Sequence, residues 1–191
     1  MANKGKYYES QFEEATIELL REAHWQYTLG DDIHRKYTDP LIEEDLRNFL
    51  AVQYKDKNLT TSEMDGIVAN LRNTGGQNDY YALRNAFLLY RDGYDFAYSD
   101  SRDNPFRMEY IDFEHPDHNI FRCVNQFVMG QGRENRRPDI LLFINGIPVC
   151  IIELKNPTKQ NATIRDAHTQ ICTRYMRDIP ALLKYCALAV I

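Results

Sequence analysis

An α/β fold is predicted by three observations on the 191-residue chain. Helical periodicity dominates the first half, and the pattern turns extended from Arg107 onward. Two runs around Asn145-Gly146 are apolar on both faces, so they demand helices above and below the sheet that holds them.

In residues 9–24, Phe12, Ala15, Leu19, Leu20 and Ala23 recur at helical spacing. Glu14, Glu18 and Glu22 share the far face, whereas Glu9 and Glu13 flank the Phe12/Thr16/Leu20 stripe, which sets Glu13 at the border of the core. Asp39-Pro40 opens a second helix reaching about Tyr54, with Pro40 in its first turn. Thr60 and Thr61, followed by Glu63 and Asp65, predict a capped helix through Leu71 that Thr74-Gly75-Gly76 breaks. A fourth helix runs from about Asn78 to Tyr90 and ends at Arg91-Asp92-Gly93. The Asp- and Tyr-rich tract through Asp103 reads as a loop. Residues 107–113 and 120–129 are extended, on either side of the turn His115-Pro116-Asp117-His118-Asn119. Residues 130–137 form a polar, basic loop. Residues 139–144 and 147–154 then make a hairpin about Asn145-Gly146, followed by a helix over 161–178 and a last strand over 185–191. No polar tail closes that strand, which predicts that a longer protein continues beyond it.

Composition narrows the class. At 43% hydrophobic and 27% charged, the chain is neither disordered nor fibrous, and its length permits a real core without metal or disulfide staples. Cys123, Cys150, Cys172 and Cys186 lack paired spacing, and three of them sit in apolar runs, which fits free thiols in a reducing cytoplasm. Neither a membrane-length apolar run nor a signal peptide is present. The net charge of −5 hides an asymmetry: residues 1–130 carry −9, and residues 131–191 carry +4, a local positive surface suited to phosphate.

The chemistry concentrates in Arg136-Arg137-Pro138-Asp139 and Glu153-Leu154-Lys155. Two carboxylates and a lysine in a buried hairpin need partners, and a divalent cation is the natural one for paired carboxylates. Period two puts Glu153 and Lys155 on one face. A two-residue Asn145-Gly146 loop would point Asp139 away from them. A three-residue loop, Ile144-Asn145-Gly146 with a left-handed Gly146 in a bulge, would return Asp139 to their face, and this is the expected geometry. Oxygen ligands without imidazole or thiolate at ligand spacing favour Mg2+ or Mn2+. The bland alternative is a Glu-Lys pair on an edge strand beside a turn-side Asp.

The run from Arg137-Pro138-Asp139-Ile140 through Phe143-Ile144-Asn145-Gly146-Ile147-Pro148 to Ile152-Glu153-Leu154-Lys155-Asn156-Pro157 resembles the PD-(D/E)xK nuclease core found at the N-terminus of the R (restriction) subunit of type I restriction enzymes. Ile111-Asp112-Phe113, Asn119 to Phe121 and Val124-Asn125-Gln126-Phe127 resemble the strands before that core, and Gly30-Asp31-Asp32 with Leu41 to Leu50 resembles the family's helical lead-in. The resemblance implies a restriction-endonuclease-like core, a central mixed sheet flanked by helices, with a helical N-terminal insertion. The chain would be one endonuclease domain, with a lead-in over about 1–105 and a core over about 106–191.

The implied activity is Mg2+-dependent cleavage of double-stranded DNA. Asp139 and Glu153 would be metal ligands with the Leu154 carbonyl, Lys155 the catalytic cation, and Glu13 the match to the first-helix glutamate of many superfamily members. The family also carries a Gln-x3-Tyr motif on the helix after the core. Here Gln170 is followed at that spacing by Arg174, and Tyr175 comes one place later. Read as an α-helix, Gln170, Arg174 and Arg177 face the site or a DNA phosphate, while Ile164, Ala167, Ile171 and Tyr175 face the core. Arg133, Arg136, Arg137, Lys159 and Arg165 are candidates for holding the DNA backbone.

The histidines read as turn or surface residues, His115 and His118 bracketing one turn, and no serine lies in a nucleophile elbow. No P-loop occurs, so ATP would act only through a motor elsewhere in the polypeptide. The implied partners are that helicase-like motor, the modification and specificity subunits, and DNA. Two other classes fit the same pattern: a nuclease-like module that grips DNA or docks subunits without cutting, and a stand-alone repair nuclease.

Overall fold

The computed structural model describes residues 9–101, 103–130, 135–155 and 164–191. Among these, strands β1 (Gln26–Leu29), β4 (Phe121–Asn125), β5 (Ile140–Ile144), β6 (Ile147–Ile152) and β7 (Leu188–Val190) form one sheet in the order β1-β4-β5-β6-β7. The outer pairs β1/β4 and β6/β7 are parallel, and the inner pairs are antiparallel. The β5–β6 hairpin is thus central, as its two apolar faces require. A separate antiparallel pair joins β2 (Tyr94–Phe96), inside the tract expected to be loop, with β3 (Phe106–Met108). Of the extended run expected over 107–113, only the start joins a strand.

Helices cover both faces. α1 (Glu9–Glu22) lays Ile17 and Leu20 against Cys123, Ile140, Cys150 and Ile152. The opposite face, with Val124, Leu141, Phe143 and Ile151, meets Ile171, Tyr175, Ile179 and Leu182. Those four come from a C-terminal helical segment built of α5 (Ile164–Thr169), a π-helical stretch over Gln170–Tyr175, α6 (Met176–Asp178) and α7 (Pro180–Leu183). The expected α1 face is corrected. Phe12 and Leu19 are exposed, and Ile17, one position off the expected stripe, is the residue that packs.

α2 (Glu43–Gln53), α3 (Thr61–Asn73) and α4 (Asp79–Asp92) pack around a second core that includes Ile147 and Tyr185. α2 starts three residues after Pro40, because Asp39 accepts a hydrogen bond from the Leu41 N–H in a turn ahead of the helix. α3 carries the expected capping box, Thr60 with Glu63, and α4 is capped by Asn78 and ends at Gly93. Arg122 on β4 grips Asp45 of α2 in a bidentate pair at 2.6 and 2.8 Å, tying the helical half to the sheet.

The hairpin turn is where sequence and structure differ most usefully. Ile144 pairs with Ile147, so the loop has two residues and not the expected three. Asn145 (φ 50) and Gly146 (φ 75) are both left-handed, the combination whose twist suits a two-residue hairpin. The extra residue appears farther along, where the register shifts between Leu142 and Phe143, so that Ile140 pairs with Ile152. Pro148, with no N–H to offer a ladder, sits at this bulge. The bulge does what the longer loop was expected to do. Continuing the register sets Asp139 opposite Glu153, on the face of Leu141 and Ile151.

Gly146 and Gly30 are among the glycines that close approach requires. A Cβ on Gly146 would lie 2.1 Å from the Ile42 carbonyl oxygen, since the turn sits against the start of α2 and Gly146 accepts from the Ile42 N–H. A Cβ on Gly30 would meet the Gln126 carbonyl oxygen at 2.5 Å, beside the end of β4. Asn145 is fully buried. Its amide donates to the Tyr110 carbonyl and to Asn119, and its side-chain oxygen accepts from the Ile120 N–H. Because Asn145→Ala strands these buried groups, we expect it to lower unfolding stability by about 3 kcal/mol, read as a lower urea midpoint with an unchanged slope. An effect below about 1 kcal/mol would show that the turn does not rest on this side chain.

Candidate active site

At the open end of the hairpin, Glu153 is 1% exposed and follows directly on β6. Its backbone N–H donates to Val190 of β7. Its carboxylate is held from three directions: Lys155 Nζ donates to Oε1 at 2.7 Å, Gln170 Nε2 also donates to Oε1, and Tyr175 Oη donates to Oε2 at 3.0 Å. Gln170 Nε2 further donates to Tyr175 Oη at 2.7 Å. A carboxylate offers about four acceptor positions, so one stays open on Oε2.

Asp139 Oδ2 accepts from the Leu154 N–H at 2.6 Å, leaving Oδ1 uncommitted among these bonds. Burial and the neighbouring Glu153 charge push the Asp139 carboxyl up to about 6, against the pull of the Leu154 N–H and Lys155, and Glu13 adds a smaller push in the same direction. Glu13 reaches this end of the sheet from α1 and accepts from Asn125 Nδ2 at 2.8 Å and Gln126 Nε2 at 3.3 Å. Asp139 and Glu153 therefore stand close enough for one charge to oppose the other, with a single ammonium on Glu153 and Glu13 acting on Asp139 more weakly, an excess of negative charge suited to a hard divalent cation with oxygen ligands. The structure joins Asp139 to Leu154, and Lys155 and Gln170 to Glu153, while Glu13 acts on Asp139 from α1 without a bond to it among these contacts. Leu154 contributes its N–H to Asp139.

Helical periodicity puts Tyr175 in the core, where it lies, but gives no sign of its bond to Glu153. The i, i+4 rule pairs Gln170 with Arg174, but residues 170–175 form a π-helical turn, whose i, i+5 spacing brings Tyr175 over Gln170. The wide turn absorbs the extra residue between them, so Gln-x4-Tyr aligns two side chains as Gln-x3-Tyr would on an α-helix. Tyr175 consequently belongs both to the core and to the site, while Arg174 is exposed. Ile164, expected in the core, is exposed. Asn125 and Gln126 were missed. The sequence signal for them was the Val124-Asn125-Gln126-Phe127 run itself; just past β4, Gln126 adopts a left-handed φ of 58°.

The expected phosphate contacts divide. Arg136 pairs with Asp178 at 2.6 Å, as does Arg177, so neither guanidinium stands unbalanced. Arg137 and Arg165 are exposed. Lys159 and Arg133 lie outside the described residues, as does the expected helix start near Asn161.

A family model for the type I restriction enzyme R protein N terminus matches residues 6–191. The type I restriction enzyme HindI endonuclease subunit of Haemophilus influenzae is 29% identical over 187 residues, 93% of this chain and 17% of that protein. A Methanocaldococcus jannaschii protein named for the type I restriction enzyme MjaIXP endonuclease subunit is 30% identical over 94% of this chain and 18% of its own length. The chain thus spans less than a fifth of either curated relative.

Two outcomes test this geometry. Deleting the exposed Thr173 leaves Gln-x3-Tyr on a regular helix and should change stability by no more than about 1 kcal/mol, whereas Tyr175→Phe, which takes a donor from the buried Glu153, should cost about 1–3 kcal/mol. Equal losses in denaturant unfolding would show that the wide turn is not what aligns the pair. The second concerns pH in chelator. With its folded pKa raised, Asp139 contributes stability that is full below about pH 4 and lost by about pH 6. The stability of Asp139→Asn relative to the parent should therefore rise across that window and level off above it.

Proposed function

The chain belongs to the family of type I restriction enzyme R protein N-terminal regions, and from that membership we propose that it is the DNA-cutting part of such an enzyme, a PD-(D/E)xK endonuclease hydrolysing phosphodiester bonds of double-stranded DNA. The observation that carries this reading is the opposition of Asp139 and Glu153 across a bulged hairpin, with Lys155 hydrogen-bonded to the second carboxylate. The alternative of a Glu-Lys pair on an edge strand loses its footing, since β6 is flanked by β5 and β7.

Asp139, Glu153 and the Leu154 carbonyl, with Glu13 behind them, would hold Mg2+ or Mn2+. When bound, such an ion activates water near neutral pH and neutralises charge on the attacked phosphate. Asp139's raised pKa fits this role, because a carboxyl that gives up its proton reluctantly beside Glu153 is stabilised as carboxylate by a cation between them. Gln170 and Tyr175 fix the Glu153 carboxylate so that its open position on Oε2 points one way. Lys155 contributes a compact positive charge beside Glu153 that can offset the extra negative charge of a pentacovalent phosphate and orient the incoming water by donating from Nζ. Arg137, Arg165, Arg174 and Lys159 would hold the DNA backbone without reading sequence.

Translocation by an ATP-driven motor, and assembly with modification and specificity subunits in the cytoplasm, would belong to the rest of the enzyme. In the full-length complex, Lys155→Ala and Glu153→Gln should each lower Mg2+-dependent plasmid cleavage by roughly 100-fold or more while ATP turnover persists. Cleavage at the parental rate by Lys155→Ala would refute the catalytic assignment and leave a DNA-gripping or docking module.

A further inference from the structure

The turn ahead of β4 holds a second cluster of ligating groups, at the opposite end of the sheet from Glu153. We propose that Asp112, His115 and His118 form a binding site for one divalent transition-metal ion, zinc by the chemistry of the donors, that staples this turn. The three residues bring one carboxylate oxygen and two imidazole nitrogens within 4.8 Å of one another.

Local geometry explains the convergence. Residues Pro116–His118 form a 3-10 turn with His115 as its N-cap, and side chains three apart eclipse on such a turn. The two rings accordingly stack with centroids 4.9 Å apart and planes within 18°. Both present Nδ1 to the same atom, Asp112 Oδ2, at 3.5 Å from His115 and 3.1 Å from His118. A tetrahedral zinc about 2.0–2.1 Å from nitrogen and oxygen ligands sets those ligands about 3.3 Å apart, the midpoint of the two distances.

Asp112 does not need either imidazole to be satisfied. Its Oδ1 accepts from the N–H groups of Glu114 and His115 at 3.0 and 2.8 Å, and its Oδ2 accepts from Gln53 Nε2 at 3.1 Å. Asp112 is 4% exposed, and Asn119 grips its backbone on both sides. One acceptor position remains on Oδ2 after Gln53 is counted, and it is the one both rings address. Each side chain of the pair is more than half exposed, so neither is held there by packing. With its Nδ1 lone pair on the metal, each ring keeps its proton on Nε2, and the fourth position takes water. Two imidazoles and one carboxylate select zinc over magnesium. Asn119 also accepts from Asn145 Nδ2, so a metal here would brace the hairpin turn.

The test uses full-length protein purified without a histidine tag, stripped with chelator, dialysed against Zn2+ in millimolar Mg2+, and analysed by elemental mass spectrometry. One zinc per chain is expected in the parent and equally in Asp139→Ala/Glu153→Ala, which removes the proposed cutting site. His115→Ala/His118→Ala should lose that equivalent, and Gln53→Ala should weaken it by roughly 10-fold. Cobalt in place of zinc should give visible d–d absorption that the double histidine variant lacks. His115→Asn/His118→Asn, with circular dichroism, guards against misfolding as the cause of loss. No zinc in the parent, or the same zinc content in a folded double variant, would overturn the proposal.

Discussion

A nearly dry carboxylate governs this molecule. Taking the Glu153 charge out of water costs several kcal/mol, and only donors placed around it recover that loss. Lys155 comes from the same chain segment, Gln170 and Tyr175 from the helix across the sheet, and Val190 holds the Glu153 backbone from β7. Hairpin, helix and last strand are therefore all committed to one residue. The local charge is still unbalanced, since Glu13 and Asp139 add to Glu153 while Lys155 supplies one positive charge in return. Burial, and after it this excess of negative charge, raises the Asp139 pKa, which marks the site as a place where a cation would improve on the protein alone.

How much of this could be read from the sequence depends on whether a competing arrangement changed the hydrophobic pattern. The capping box at Thr60 and the place of the hairpin at Asn145-Gly146 are local chemistry and were legible, although the turn has two residues where three were expected. The bulge near Pro148 was not, because β6 is apolar on both faces and a one-residue slip leaves its pattern intact. The slip shows only in the polar residues at its end, which is why the shared face of Asp139 and Glu153 was right for the wrong reason. The π turn was hidden likewise: Arg174 and Tyr175 both fit a helical stripe, and only the demand of Glu153 for donors separates them. In α1, Glu13 marked the buried border correctly, but choosing Phe12 and Leu19 over Ile17 rotated the face. β2 and β3 have three residues each, too short for any period to declare itself.

The basic character of the C-terminal third is partly spent inside the fold. Arg136 and Arg177 converge on Asp178 and hold its carboxyl below the usual range, and Lys184 donates to the carbonyls of Arg72 and Thr74. Counting charges along the sequence overstates what phosphate can meet. Of the described candidates, Arg137, Arg165 and Arg174 are exposed. If these met phosphate, three such contacts would give a modest electrostatic grip with a shallow salt dependence.

The two ends of the hairpin are mechanically one device. A strand slip by one residue turns every side chain to the other face, so the pairing of Asp139 with Glu153 is only as secure as the register set some five residues away. That register is pinned at the turn. Gly146 rests on the start of α2, Asn145 is bonded to the 110–120 segment, and Arg122 on the neighbouring strand is clamped to Asp45. The helical lead-in brings Glu13 to one end of the sheet and, through α2, helps to forbid the slip at the other. The placement of Asp139 and Glu153 at one end of the sheet is thereby fixed at the other by buried amides, close backbone packing and one ion pair, none of which touches either carboxylate.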